Sequence, residues 1–166
     1  LLGIDILERG IGQSKDDDFV FIYLTEETNE NGKGDSVRNR VYRYNWNGTD
    51  LSNPVLLLDL PGEPGPYHNG GKIKVGPDEQ LYVVIGDLTS PSTILQNHVL
   101  DSDAIPNNTS VIIRIDPLNG NPSPDNPFKN QSQNDLIDNF SLDYYYAYGI
   151  RNSFGLSFDP ITGSLW

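Results

Sequence analysis

Short runs rich in β-branched and aromatic residues recur along this 166-residue chain, each closed by a cluster of Gly, Pro, Asn or Asp, and no stretch keeps a helical period. That punctuation points to an all-β fold. The runs fall at residues 19–25, 39–46, 54–60, 72–75, 81–85, 110–116, 144–148 and 156–158, while residues 16–18, 28–36 and 117–133 read as loops. A weak internal repeat adds modularity. Residues 75–82 and 158–166 share an apolar residue, a small or acidic one, proline, a turn, then Leu and an aromatic. Pro77 and Pro160 stand 83 positions apart, which would be two blades at the roughly 40-residue period of a β-propeller. A β-sandwich with similar turns satisfies the same pattern.

Composition narrows the partners. A net charge of −12 disfavours nucleic acid and anionic membranes, which attract clustered Lys and Arg. Cysteine is absent, so disulfides, thiolate metal sites and a thiol nucleophile are excluded. No apolar run reaches the roughly eighteen residues of a membrane-spanning helix. Asn47, Asn107, Asn108, Asn130 and Asn139 lie in Asn-x-Ser/Thr sequons, more than the roughly two expected by chance, which leans toward a secreted, periplasmic or cell-surface protein. Methionine is also absent, residues 1–4 look like the middle of a packed element, and residues 163–166 stop as a strand begins. The sequence therefore reads as an internal piece of a longer chain, residues 1–166 forming part of one domain cut at both ends.

Chemistry concentrates between Tyr67 and Asp87. Lys72 to Val75 alternates charged and apolar residues, Gly76-Pro77-Asp78 is a turn, and Leu81 to Ile85 is apolar, so the stretch predicts a β-hairpin. If Val75 pairs near Leu81, His68 falls opposite Asp87 and Leu88, within reach of an imidazole–carboxylate hydrogen bond. A slip of one residue would turn the two side chains to opposite faces, so the pattern permits the pair without requiring it. In the bland alternative His68 caps a loop and Asp87 ends a strand.

Other residues carry less. His98 has no second ligand at a metal spacing, and Asp101 and Asp103 beside it read as a solvated loop. Asp16, Asp17 and Asp18 lack the alternating ligands and glycine of a calcium loop. Tyr144, Tyr145 and Tyr146 offer rings for stacking, although alternating tyrosines on a strand more often serve packing.

Ordered motifs then span almost the whole chain: Leu1-Leu2-Gly3-Ile4, His68-Asn69-Gly70-Gly71-Lys72-Ile73, Gly76-Pro77-Asp78, Leu81-Tyr82 through Ile85-Gly86-Asp87, Arg114-Ile115-Asp116, Pro124-Asp125-Asn126-Pro127-Phe128, and Tyr148-Gly149-Ile150-Arg151-Asn152-Ser153-Phe154-Gly155-Leu156. Their order resembles the glucose/sorbosone dehydrogenase family of soluble quinoprotein sugar dehydrogenases. The resemblance implies a six-bladed β-propeller with pyrroloquinoline quinone in its central cleft, of which this segment would supply roughly the second and third blades and part of a fourth. It implies an oxidoreductase that oxidises the anomeric hydroxyl of an aldose, passes hydride to the quinone and hands electrons to an external acceptor. His68 matches the family's general base and Asp87 the carboxylate that orients it. Arg151 and Asn152 match the Arg-Asn pair at the cofactor, where a permanent cation suits a tricarboxylated quinone. The ligands of the family's calcium ion and its further basic residues are expected outside residues 1–166.

Two positions depart from the pattern. Tyr67 stands where an acidic residue commonly precedes the histidine, which puts that cofactor contact in doubt, and Lys72 replaces a common arginine. The rival reading is a non-catalytic extracellular propeller that binds ligands through the same cleft. Retention of His68 with Asp87 and of Arg151 with Asn152 favours the enzyme. A calcium-dependent lactonase-type hydrolase would need carboxylates converging on a central metal, and the sequence offers no such set. The 166-residue piece by itself is expected to be poorly soluble and inactive, because an opened propeller bares strand edges and half its cleft.

Overall fold

The computed structural model describes residues 1–9, 18–28, 36–65, 67–89, 108–129 and 142–166. Eight strands occupy them: β1 (Gly3–Leu7), β2 (Asp18–Thr28), β3 (Ser36–Trp46), β4 (Leu51–Pro61), β5 (Ile73–Val75), β6 (Leu81–Ile85), β7 (Val111–Ile115) and β8 (Tyr145–Tyr148). They form two four-stranded antiparallel sheets, β1-β2-β3-β4 and β5-β6-β7-β8, each a meander of consecutive strands. The all-β expectation holds, and each predicted run from residue 19 to residue 148 contains or overlaps a strand. Residues 156–158 yield only an isolated bridge between Phe158 and Leu165. β1 is a strand that the sequence reading does not predict, although Gly3-Ile4-Asp5-Ile6-Leu7 alternates faces as a half-buried strand does.

Alternation explains how the sheets stack. Phe19, Phe21 and Tyr23 of β2 and Leu58 and Leu60 of β4 point to the same core as Leu81, Val83 and Ile85 of β6 and Val111, Ile113 and Ile115 of β7. The even positions of the second sheet, Tyr82, Val84 and Ile112, face away and pack with Leu156, Phe158 and Leu165. The second sheet is thus covered on both faces, which is why β6 and β7 are buried at every residue. Fully burying one such aliphatic side chain contributes about 1.5–3 kcal/mol. The first sheet is covered on one face, and its other side leaves Ile4, Ile6 and Leu56 exposed.

The two sheets are stapled along their first strands. Asp5 of β1 accepts from Lys74 Nζ at 2.9 Å and from the Val75 backbone N–H at 2.6 Å. Just before this staple, a Cβ on Gly3 would collide with the carbonyl of Gly71.

The internal repeat is real but its period is corrected. In the first copy Gly76 N–H donates to the Gln80 carbonyl at 2.8 Å; in the second Asp159 N–H donates to the Ser164 carbonyl at 2.9 Å. Both copies are tight hairpins, and Tyr82 meets Phe158 edge to face at 4.9 Å between centroids. The first hairpin opens the β5–β8 sheet and the second follows β8 onto its outer face. Eighty-three residues therefore span one four-stranded sheet, not two, because long connections separate β6 from β7 and β7 from β8.

Candidate active site

The β5–β6 hairpin pairs Val75 with Leu81, Lys74 with Tyr82 and Ile73 with Val83, as the turn chemistry predicts. Two further bonds, Val84 N–H to the Lys72 carbonyl and Gly71 N–H to the Val84 carbonyl, both at 2.9 Å, extend the ladder. The chain then leaves it, with positive φ at Gly71 (105°), Gly70 (69°) and His68 itself (40°). Even so, His68 Nδ1 lies 2.6 Å from Asp87 Oδ1, with side chains 19% and 17% exposed. The expected pair forms by a glycine-borne turn beyond the hairpin rather than by a ladder position.

Asp87 is fixed from three directions. Its Oδ1 also accepts from the Thr89 backbone N–H at 3.0 Å. Its own N–H donates to the Arg151 carbonyl at 2.9 Å. Beside it, Gly86 must be glycine, since a Cβ there would collide with the His68 carbonyl and press on that of Arg151. Gly86 in turn accepts from Ser110 N–H at 2.9 Å, and Ser110 accepts from Ile150 N–H at 3.0 Å. Four chain segments are therefore laced together around the histidine.

Backbone strain collects at the same place. Of seven non-glycine residues with positive φ among the described residues, five flank this site: His68, Leu88 (50°), Thr89 (56°), Asn108 (60°) and Ser110 (60°). Each such residue costs on the order of 1–3 kcal/mol, most for a β-branched one like Thr89, and such strain clusters where function demands an exact side-chain direction.

A cavity of about 160 Å³ opens here, lined among others by Leu2, His68, Asn69, Asn152 and Phe154. The Asn152 Oδ1 atom is buried and has no hydrogen-bond partner among the described residues. Arg151 behaves differently. Its carbonyl holds Asp87, while its side chain is exposed, lies outside the cavity lining and forms no ion pair among the described residues.

The remaining candidates resolve as follows. Tyr67 is half exposed and does not line the cavity. The tyrosine run is structural: Tyr145 is fully buried, its hydroxyl accepting from Asn108 N–H at 3.0 Å, with burial pushing its phenol up. Tyr146 packs edge to face on Tyr82. Among sequons, Asn47 is exposed at the β3–β4 turn, whereas Asn108 is 2% exposed and closed to modification in the folded chain. His98, Asp101, Asp103, Asp16, Asp17, Asn107, Asn130 and Asn139 lie outside the described residues. Among those described, no three His, Asp or Glu converge as a metal site would require, and no helix is long and apolar enough to cross a membrane. Sequence reasoning misses Asn69, the cavity residue next to His68. An asparagine set between a histidine and two glycines is the available signal.

Comparison with known proteins places this geometry. The family model for Glucose / Sorbosone dehydrogenase matches residues 12–166. An uncharacterized protein of Synechocystis sp. is 31% identical over 149 residues, 88% of this chain and 34% of its own length. A Thermus thermophilus protein assigned as an oxidoreductase (glucose dehydrogenase) superposes with a TM-score of 0.65 at 30% identity, over 89% of this chain and 38% of that one. The aldose sugar dehydrogenase of Streptomyces coelicolor, solved with pyrroloquinoline quinone bound, gives 0.55 at 28% identity over 86% and 35%. The chain thus spans little more than a third of its relatives' length, as part of their β-propeller. On a match that takes in β2 to β8 and the segments carrying His68, Asp87, Ser110 and Arg151, the chain belongs to the glucose/sorbosone dehydrogenase family.

Proposed function

We propose that the full-length protein is a sugar oxidoreductase that removes hydride from the anomeric carbon of an aldose with pyrroloquinoline quinone as acceptor, His68 serving as the base. The observation that carries this reading is the His68–Asp87 pair at the edge of a cavity lined also by Asn152, whose Oδ1 has no partner among the described residues. With Nδ1–H donated to Asp87, the lone pair of Nε2 is left to accept the anomeric hydroxyl proton. The Asp87 carboxylate then stabilises the imidazolium that forms, and Thr89 N–H keeps that carboxylate in place. A quinone bound beside Arg151 and Asn152 would supply a two-electron acceptor for the hydride released from the sugar carbon, to be reoxidised by an external acceptor.

The residues fit one side of such a cofactor. Arg151 offers a guanidinium, unpaired among the described residues, to a carboxylated ring, and Asn152 Oδ1 can accept from a pyrrole N–H or a sugar hydroxyl. Calcium forms part of the proposal only through ligands beyond those described. The same Arg151 explains how an acidic chain could hold an anion, since a local cation outweighs a distant screened net charge.

The test is dye-linked oxidation of an aldose panel by the full-length protein reconstituted with the quinone and calcium. Quinone-dependent turnover that falls about 10²–10⁴-fold in His68→Ala is expected. Quinone binding without turnover in the wild type would overturn the enzyme in favour of a binding propeller.

A further inference from the structure

A buried polar chain crosses from the first sheet to the residue after His68. Asn39 on β3 and Tyr23 on β2 are both fully buried. The Tyr23 hydroxyl donates to the Asn69 carbonyl at 3.1 Å, and Asn39 Nδ2 donates to Asn69 Oδ1 at 2.8 Å. The second Asn39 hydrogen goes to the Pro61 carbonyl at 2.8 Å, and Thr25 donates to Asn39 Oδ1 at 2.6 Å, so that amide has one orientation. Asn69 is equally committed. Its Oδ1 also accepts from Glu63 N–H at 3.1 Å, and its Nδ2 donates to the Glu63 and Gly65 carbonyls at 2.9 and 3.3 Å.

We infer that Asn39 and Tyr23 are positioning residues for His68, acting through Asn69, so that the first sheet sets the direction of a ring carried by the second. Packing alone gives no reason for two amides and a hydroxyl here, because burying such groups is costly unless each is satisfied. The need comes from His68, whose φ of 40° relaxes unless its neighbours impose it. Asp87 holds the ring from one side; the five bonds to Asn69 hold the backbone from the other. Burial pushes the Tyr23 phenol up, so it stays a neutral donor across the working range of pH.

The inference rests on the proposed function only for its effect on rate, and its main readout is independent of turnover. Long-range ¹H–¹⁵N correlation spectra of the histidine rings in the cofactor-free full-length protein report the tautomer directly. Wild type should show His68 in a single form, protonated at Nδ1. Asn39→Ala should give two exchanging tautomers and about a tenfold fall in kcat with little change in KM, the scale of a small misplacement of a catalytic group. Tyr23→Phe, which removes one oxygen and leaves the packing intact, should move both readouts the same way by less. Tyr82→Phe, at the far end of the second sheet, should move neither.

An unchanged single tautomer in Tyr23→Phe and Asn39→Ala would overturn the inference, whatever either does to thermal stability. If Asn39→Ala does not fold, Tyr23→Phe decides alone. Tautomer exchange in a protein that oxidises no sugar would uphold the positioning network and sink the dehydrogenase.

Discussion

The two ends of the β5–β8 sheet hold two arginines in opposite states. At the end where β5 finishes and β6 begins, Arg114 is 7% exposed and every nitrogen of its guanidinium is used. Nε and Nη2 donate to Asp78 Oδ2 at 2.9 and 2.6 Å, and Nη1 donates to Asp125 at 2.7 Å and Asn126 at 3.3 Å. Tyr82 and Tyr146 cover its faces. At the opposite end Arg151 is exposed and unpaired among the described residues, Asn152 Oδ1 is orphaned, and five residues carry positive φ. A sheet only three to five residues deep thus keeps its saturated polar cluster apart from its unsatisfied one. Saturation stabilises; incompleteness leaves capacity for a ligand.

The largest effect that should separate the ends is Asp87→Asn. The amide oxygen can still accept from Nδ1–H, but the negative charge that stabilises the imidazolium is gone, so Nε2 is a much weaker base. Turnover of the full-length protein should drop about 10³–10⁴-fold, the scale seen when a carboxylate orienting a catalytic histidine becomes an amide. Thermal denaturation should show little change, since the pair is a modest contributor to folding. A large loss of stability with turnover preserved would show that this end too is structural.

Arg114→Met should do the reverse. It removes the cation from Asp78 and Asp125 and the ring contacts with Tyr82 and Tyr146, at about 2–3 kcal/mol because both carboxylates keep some contact with water. Denaturant titration reads that loss, and kcat per folded molecule should stay within about twofold of wild type, as expected for sites without shared partners. Tyr82→Phe should cost about 1 kcal/mol, the worth of the 2.9 Å bond its hydroxyl donates to Asp78, again with turnover intact.

These contrasts also show what can be read before folding. The strands of the second sheet are legible because Leu81 to Ile85 is apolar throughout and Gly76-Pro77-Asp78 fixes the hairpin register locally. The hairpin brings His68 near Asp87, only 19 positions away, but the turn through Gly70 and Gly71 that completes the pair is not a ladder position and is not legible from the register. Arg114 is legible only as part of a motif, since its partner Asp78 is 36 residues away in the turn between β5 and β6. The Tyr23–Asn69 bond spans 46 residues and crosses from one sheet to the other, a relation that neither alternation nor turn chemistry encodes. β1 escapes a sequence reading because Asp5 breaks its apolar run, and the reason for that aspartate, its bonds to Lys74 and Val75, lies 69 and 70 positions away. The repeat counts as two blades only while period arithmetic assumes short loops, and here the connections between strands are long.

The smallest predicted effect concerns acid. The hydrogen bond from Arg114 holds the Asp125 carboxyl below its ordinary 3.8. A carboxyl lowered on folding lends stability that is fully present above its unfolded value and is lost as pH falls through the lower folded value. The melting temperature should therefore fall on acidification below about pH 4 by a component that depends on Arg114. Asp125 is 73% exposed, so solvent screens the pair and the component should amount to a few tenths of a kcal/mol, on the scale of surface ion pairs. Comparing Asp125→Asn with wild type from pH 2 to 6 isolates it: the two curves should separate above about pH 4 and converge below. Curves that stay parallel over the whole range would mean that Asp125 adds nothing to the cluster, leaving Asp78 to answer Arg114 alone.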